Sequence, residues 1–433
     1  MKSIKFFLLM LIVASFTITS CGDDDSTPKN VAVTAITANG TSFADDTAVS
    51  KDLNGASSAM DVALNSTFTV TFDKEIDVVT AIGSNVQILE NGSAVDAALS
   101  GTGSTITIIP TEDLKRGTFH TLNINNVAAA DGGMFETVTR SFTTEGRAPV
   151  VVPNADAQRA YWNFDSNTDD ENGEFSADKV IDLTYGEDRF GQGNSTASFD
   201  GNTTIVEVVD GSRLMESGSI AISFWMKINS IDHINQNGDP SGHFVFGLGA
   251  FQGFQFEIPA DYTNCKLVAS YELADGAGAT EDLWFPGNGE DNMNGGWQGW
   301  DFVADLTGSG GVEGLIQDKW AHVICSYDKE ERKGQLYING ELMKSQDFDL
   351  WPDGDLKREV QGVLYNGNPA DVEDKLVFGF IKSADSPMWL DTDFGDYFKP
   401  TANHFKGDLD DFRIFDAPFS AADAAALYNA EKP

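Results

Sequence analysis

The sequence predicts an all-β protein built as two successive antiparallel sandwiches. Three observations predict it. Short apolar runs recur with period 2, as in Thr67-Phe68-Thr69-Val70-Thr71-Phe72, where Phe68, Val70 and Phe72 share one face. Clusters of Gly, Asn and Asp separate these runs, as turns between strands require. The composition shifts near residue 160, because all eight Trp lie beyond it, so two units of different make follow one another.

Length and charge bound the function. At roughly 100–200 residues per domain, 433 residues suggest two or three domains. A chain that is 41% hydrophobic and 11% aromatic can bury real cores. Lys and Arg number 28 against 67 Asp and Glu, a formal charge of −39. Such a surface repels phosphate backbones, so no nucleic-acid partner is expected. It also repels anionic lipid and, over most of its area, anionic polysaccharide. Neutral ligands and divalent cations suit it, and solubility alone would also account for it.

The first segment reads as an address. Met1-Lys2-Ser3-Ile4-Lys5 is basic, and the apolar run Phe6 to Phe16 is too short to span a bilayer but suits a signal-peptide core. Thr17-Ile18-Thr19-Ser20-Cys21 resembles the lipobox of bacterial lipoproteins, with Ile18 where Leu is usual. Asp23-Asp24-Asp25 resembles the surface-export signal of Bacteroidota lipoproteins. The resemblance implies a signal peptide over 1–20, an acylated Cys21 and an acidic tether over 21–30. It implies a protein held in outer-membrane lipid and facing the cell exterior. The alternative is an ordinary secretory signal with an incidental cysteine.

The first unit is expected over 31–146. Thr105 to Pro110, Thr121 to Ile124 and Arg140 to Thr144 repeat the alternation of Thr67 to Phe72. "TVTFDKEID", "TITIIPTEDLKRGTFHTLNI" and "RSFTTEG" resemble the bacterial Ig-like domain, which implies a β-sandwich spacer. Residues 147–158 hold Pro149 and Pro153 around a Val run and read as a stiff linker.

The second unit is expected over 159–433. Its strand patterns include Ala160 to Asp165, Ala197 to Gly201, Ile220 to Lys227, Lys319 to Asp328, Gly334 to Glu341 and Phe405 to Phe415. Asn339-Gly340 is a type I′ hairpin signal, since both turn positions tolerate positive φ. Ser420 to Ala430 alone has helical composition, with Ser420 as its cap. "YWNFD", "RFGQGNSTASFDG", "IAISFWMK", "KWAHVICSYD", "GQLYINGELM" and "GDLDDFRIFDAPFSAADAAALY" follow the order of the laminin G type of concanavalin A-like domain. The resemblance implies a jelly-roll sandwich of two antiparallel sheets. That fold carries lectins, adhesion modules and glycoside hydrolases, so it does not decide function.

No catalytic pattern stands out. A retaining glucanase on this fold carries carboxylates alternating along one strand, which a period of 2 puts on one face. Glu75-Ile76-Asp77 mimics half of that pattern but lies in the first unit and reads as a surface turn. Asp408-Leu409-Asp410-Asp411 lacks Glu. None of the five His sits in a zinc pattern, and His322 reads as structural. The chain is therefore expected to bind rather than to cleave, with a divergent glycoside hydrolase as the lesser alternative.

A glycan site needs aromatic faces and side chains that read hydroxyls. Trp162, Trp225 and Trp320 occupy strand positions and are expected in the core. Trp284, Trp297, Trp300, Trp351 and Trp389 lie in Gly/Asp/Asn-rich insertions, where they either pin the loop or form a stacking platform. Gln298 and Asp301 are the polar neighbours, and residues 389–397 can supply a second wall. Calcium is the expected ion, because acidic loops offer oxygen ligands. In the resembled superfamily a structural Ca2+ often joins the first and last strands, which implicates Asp165 and Asp410. Asp391, Asp393 and Asp396 form a further carboxylate cluster. Cys265 and Cys325 either pair or remain buried thiols.

The expectation is thus a surface lipoprotein, its Ig-like unit a spacer and its concanavalin A-like unit a binder of extracellular polysaccharide. An outer-membrane glycan-uptake complex is the partner that family analogy suggests. The alternative is an adhesin that binds a protein or another cell surface.

Overall fold

The computed structural model describes residues 30–43, 46–55, 57–135, 137–286 and 299–433. The signal segment, Cys21, nearly all of the tether, Trp297 and Gln298 lie outside the described residues. The chain forms two compact units that divide between Glu145 and Gly146. Among the described residues, no helix is long and apolar enough to cross a membrane.

The first unit is a sandwich of two five-stranded sheets. One sheet runs Ala48–Asp52, Val33–Thr41, Thr67–Phe72, Thr105–Pro110 and Ala97–Thr102, all antiparallel. The other runs Ala59–Val62, Val138–Thr144, Phe119–Ile124, Val86–Glu90 and Ser93–Ala94, with only its first pair parallel. The period-2 faces meet between the sheets, where Phe68, Val70, Ile106, Ile108, Leu122 and Phe142 are fully buried. Glu75 to Asp77 is a turn, and the Asp77 carboxylate caps the short helical turn Val78–Thr80.

The second unit is a jelly-roll sandwich. Its nine-stranded sheet is centred on Lys406–Phe415, which pairs with Ile220–Ile228 on one side and with Thr196–Asp200 and Gln158–Trp162 on the other. Trp320–Asp328, Lys333–Ile338, Glu341–Asp347 and Trp300–Val303 continue it to one edge. The facing sheet follows the order Ala177–Ile181, Ile205–Val209, Lys375–Phe378, His243–Leu248, Phe254–Ile258, Cys265–Glu272 and Gly278–Phe285, with Gly362–Val363 paired to Cys265–Glu272. Trp162, Phe224, Phe246, Phe378 and Phe412 interlock between the sheets, mostly edge to face. Asn339 and Gly340 both have positive φ, as the hairpin signal requires. A short helix, Gly311–Ile316, has no counterpart in the sequence reading.

The C-terminal helix Ala421–Glu431 starts with a capping box between Ser420 and Asp423. Ala424 and Leu427 pack with Ala221, Ile324, Tyr337 and Phe415, which puts the helix on the outer face of the nine-stranded sheet. Beside it lies a buried ionic centre. Arg189 spans Asp410 and Asp411, reaching the latter at 2.5 Å, and Arg147 lies 2.8 Å from Asp411 and 3.1 Å from Asp188. Arg413 pairs with Glu431 at 2.5 Å. The Arg189 guanidinium also sits 4.3 Å from the Trp225 ring centroid.

Two expectations change here. Residues 147–158, expected as a stiff linker, fall within the second unit. Arg147 is locked into the ionic centre, Val152 packs beneath the helix, and Asn154 donates to the Pro418 carbonyl. Trp162 and Trp225 are buried as expected, but Trp320 opens its strand half-buried.

Candidate functional site

The outer face of the eight-stranded sheet divides in two. Over the Ala177–Ile181 side, residues 380–404 lie across the sheet, where Ile205, Phe244 and Val377 pack with Phe380, Ile381 and Tyr397. The other side is formed by Phe254–Ile258, Cys265–Glu272 and Gly278–Phe285. Phe254, Phe256, Cys265, Leu267, Leu283 and Phe285 of these strands point into the sandwich. Alternation therefore sends Gln255, Glu257, Lys266, Val268, Asp282 and Trp284 outward.

Register assembles these six side chains into two rows. Glu257, Lys266 and Trp284 are cross-strand neighbours, and so are Gln255, Val268 and Asp282. Lys266 Nζ lies 2.8 Å from Glu257 Oε1 and 3.1 Å from Asp282 Oδ2, so those two oxygens lie within about 6 Å of each other. Its ammonium is 5.8 Å from the centroid of the Trp284 ring. Gln255 donates to Glu257 Oε2 at 2.8 Å, while Gln255 Oε1 is buried without a partner among the described residues. Burial alone would lower the Lys266 pKa, but Glu257 and Asp282 outweigh it and raise it. The Lys266, Glu257 and Asp282 side chains are 25, 19 and 29% exposed, so solvent reaches them.

Aromatic rings flank the rows. Trp284 is half-buried at one end. Thr280, four residues back and roughly 13 Å along the strand, donates to the Phe251 carbonyl. The Phe251 ring contacts Trp389 with centroids 5.6 Å apart, and Trp389 contacts the exposed Phe394. Trp389 is half-buried and held at φ 60°.

The expected ligand residues separate accordingly. Trp284 and Trp389 flank the outer face. Trp300 and Trp351 are 8 and 5% exposed and pin their segments to the sandwich. Lys344 Nζ stands 4.1 Å from the Trp300 centroid, and Lys357 Nζ stands 4.5 Å from that of Trp351. Asp301 is tied to Lys333 at 3.1 Å. Trp297 and Gln298 lie outside the described residues. Sequence reading passed over Gln255, Glu257, Lys266 and Asp282. Their period-2 alternation was visible, but the register that brings three strands together was not.

The calcium pair does not fit. Asp410 is fully buried against Arg147 and Arg189, whose positive charge stands where a cation would have to be. Burial and the adjacent Asp411 hold the Asp410 carboxyl well above the usual carboxylate range. Asp411 is also buried, yet Arg147, Arg189 and Arg413 hold it well below that range. Asp165 lies half-buried in the turn after Gln158–Trp162. Among the described residues, no three His, Cys, Asp or Glu side chains converge as metal ligands.

Two arrangements resemble catalytic ones. Ser223 Oγ is 2.8 Å from His322 Nε2, and Glu431 is 4.0 Å from that same nitrogen. A triad needs its acid on the other ring nitrogen, and all three groups are buried. Glu257 and Asp282 are spaced like a glycosidase pair, but Lys266 fills the gap where the scissile bond would lie.

The comparisons bear on the two units differently. Residues 25–144 match the family model of the bacterial Ig-like domain. The Ig-like match stops one residue short of the boundary at Glu145. A search of curated proteins finds no match. Among solved structures, the chain is similar to the botulinum neurotoxin serotype D ligand-binding domain in complex with N-acetylneuraminic acid. Identity is 17%, coverage 64% of this chain and 51% of that chain, and the TM-score 0.39. It is also similar to the botulinum neurotoxin DC binding domain in complex with rat synaptotagmin II, at 13% identity, 64 and 52% coverage and a TM-score of 0.37. The chain spans about half the length of these structures, and a likeness at this level assigns no ligand.

Proposed function

We propose that the protein is a surface lipoprotein that binds extracellular polysaccharide without cleaving it. In this reading an acylated Cys21 holds it in outer-membrane lipid and the Ig-like unit spaces the second unit from the membrane. Ligand binds on the outer face of the eight-stranded sheet. The observation that carries the reading is the row Glu257–Lys266–Trp284. It sets part-exposed hydrogen-bonding groups beside an aromatic ring, the combination that a sugar's hydroxyls and C–H face require.

The test is affinity electrophoresis of the chain from residue 22 through a panel of polysaccharide gels, with and without calcium. Retardation by one polysaccharide, lost in Trp284→Ala and kept in Trp300→Ala, supports the reading. No retardation by any polysaccharide sinks it and favours the adhesin alternative. A shortened polymer after incubation would show cleavage.

A further inference from the structure

Resting on that binding reading, we infer that the outer face selects uncharged saccharide over uronate or sulfated saccharide, and that Glu257 and Asp282 set the selection. The sequence's overall acidity could not decide this, because one local basic patch would override the average. The two adjacent basic pairs of the second unit, Lys357-Arg358 and Arg332-Lys333, are both occupied. Lys357 pairs with Glu281, and Arg358 lies 2.6 Å from Asp353. Arg332 lies 2.6 Å from Asp349, and Lys333 reaches Asp301 and Asp347 at 3.1 and 3.4 Å.

On the face itself Lys266 is the cation among the six outward side chains. Its ammonium already serves Glu257 and Asp282, so the trio is net negative. An anionic sugar oxygen brought to Lys266 would stand beside two carboxylates. Gln255 adds an independent sign of what is wanted. It is 5% exposed, its amide nitrogen is engaged by Glu257, and its Oε1 is a buried acceptor without a partner among the described residues. An acceptor of this kind takes a hydroxyl donor, and where that donor is a primary hydroxyl its oxidation to a carboxylate removes it.

The experiment uses the neutral polysaccharide that retards the chain, and the same polymer after oxidation of its primary hydroxyls to carboxylates. The oxidised polymer should bind at least roughly tenfold more weakly at low salt, with part of the gap closing as salt rises. In Glu257→Gln/Asp282→Asn the preference should shift toward the oxidised polymer by a similar factor. The exposed pair Glu112→Gln/Asp113→Asn removes as much charge from the first unit and should leave the preference unchanged. If the double variant does not fold, Lys266→Gln replaces it and should widen the gap. Equal binding of the two polymers, or a shift in the first-unit control as large as on the face, overturns the inference. Retardation by anionic polysaccharides alone overturns the selectivity and leaves the binding reading standing. Retardation by none overturns both.

Discussion

Lys266 and Trp284 stand directly opposite each other on adjacent strands, with the ammonium 5.8 Å from the indole centroid. Trp284 lies on the last strand of its sheet and is half-buried. Exposure separates Trp284 from Trp300 and Trp351, which also stand beside a Lys ammonium but are buried.

That separation should appear in variants. Trp300→Ala empties a buried site and should destabilise the second unit by about 3–5 kcal/mol, read by denaturant unfolding, with polysaccharide affinity intact. Trp284→Ala should do the reverse and lose affinity with little change in stability. Equal loss of stability in both would place Trp284 among the pins.

Arg189 to Asp410 and Asp411 is the main buried ion pairing. Arg189→Met leaves buried carboxylates facing one guanidinium fewer and should cost about 3–5 kcal/mol. For the same reason, a fragment beginning at residue 148 lacks Arg147 and should melt lower than one beginning at Gly146. Identical melting would show that Arg147 contributes nothing to the second unit.

Stability should fall on mild acidification. Burial pushes His233 and His404 down to about 4 and His322 to about 3. Below pH 6.5 the unfolded chain binds protons at these imidazoles while the folded chain does not. Stability is therefore full above pH 6.5 and declines as pH falls toward 4, by roughly 3 kcal/mol each for His233 and His404. Unfolding curves at pH 7.5, 6 and 5 check this, and a stability unchanged across them would contradict it.

Among the described residues Cys265 and Cys325 are unpaired, and both are fully buried. Burial pushes the Cys265 thiol up to about 12 and raises Cys325 as well. In protein lacking Cys21, a thiol reagent at pH 8 should label neither until denaturant is added. Fast labelling of the native chain would show that the core opens.

The fold was legible because strand alternation is local. Thr67–Phe72 has the bounds its alternation gives, Ile220–Ile228 and Lys406–Phe415 differ from theirs by one residue at one end, and Ser420 caps its helix as expected. What depends on the partner of a strand was hidden. Asp410 reads as an acidic ligand in isolation, and only the fold brings Arg147 and Arg189 to it. Trp351 looks like a loop aromatic, yet it joins the main core. Glu257, Lys266 and Asp282 come from three strands, and each alone is an ordinary outward polar residue.

The most direct measurement is a crystal structure of the chain soaked with an oligosaccharide cut from the polysaccharide that retards it. Sugar density is expected on the outer face of the eight-stranded sheet, one ring against Trp284 and a hydroxyl at Gln255 Oε1. Density over the C-terminal helix or on the Ig-like unit, with the Lys266 face empty, would contradict it.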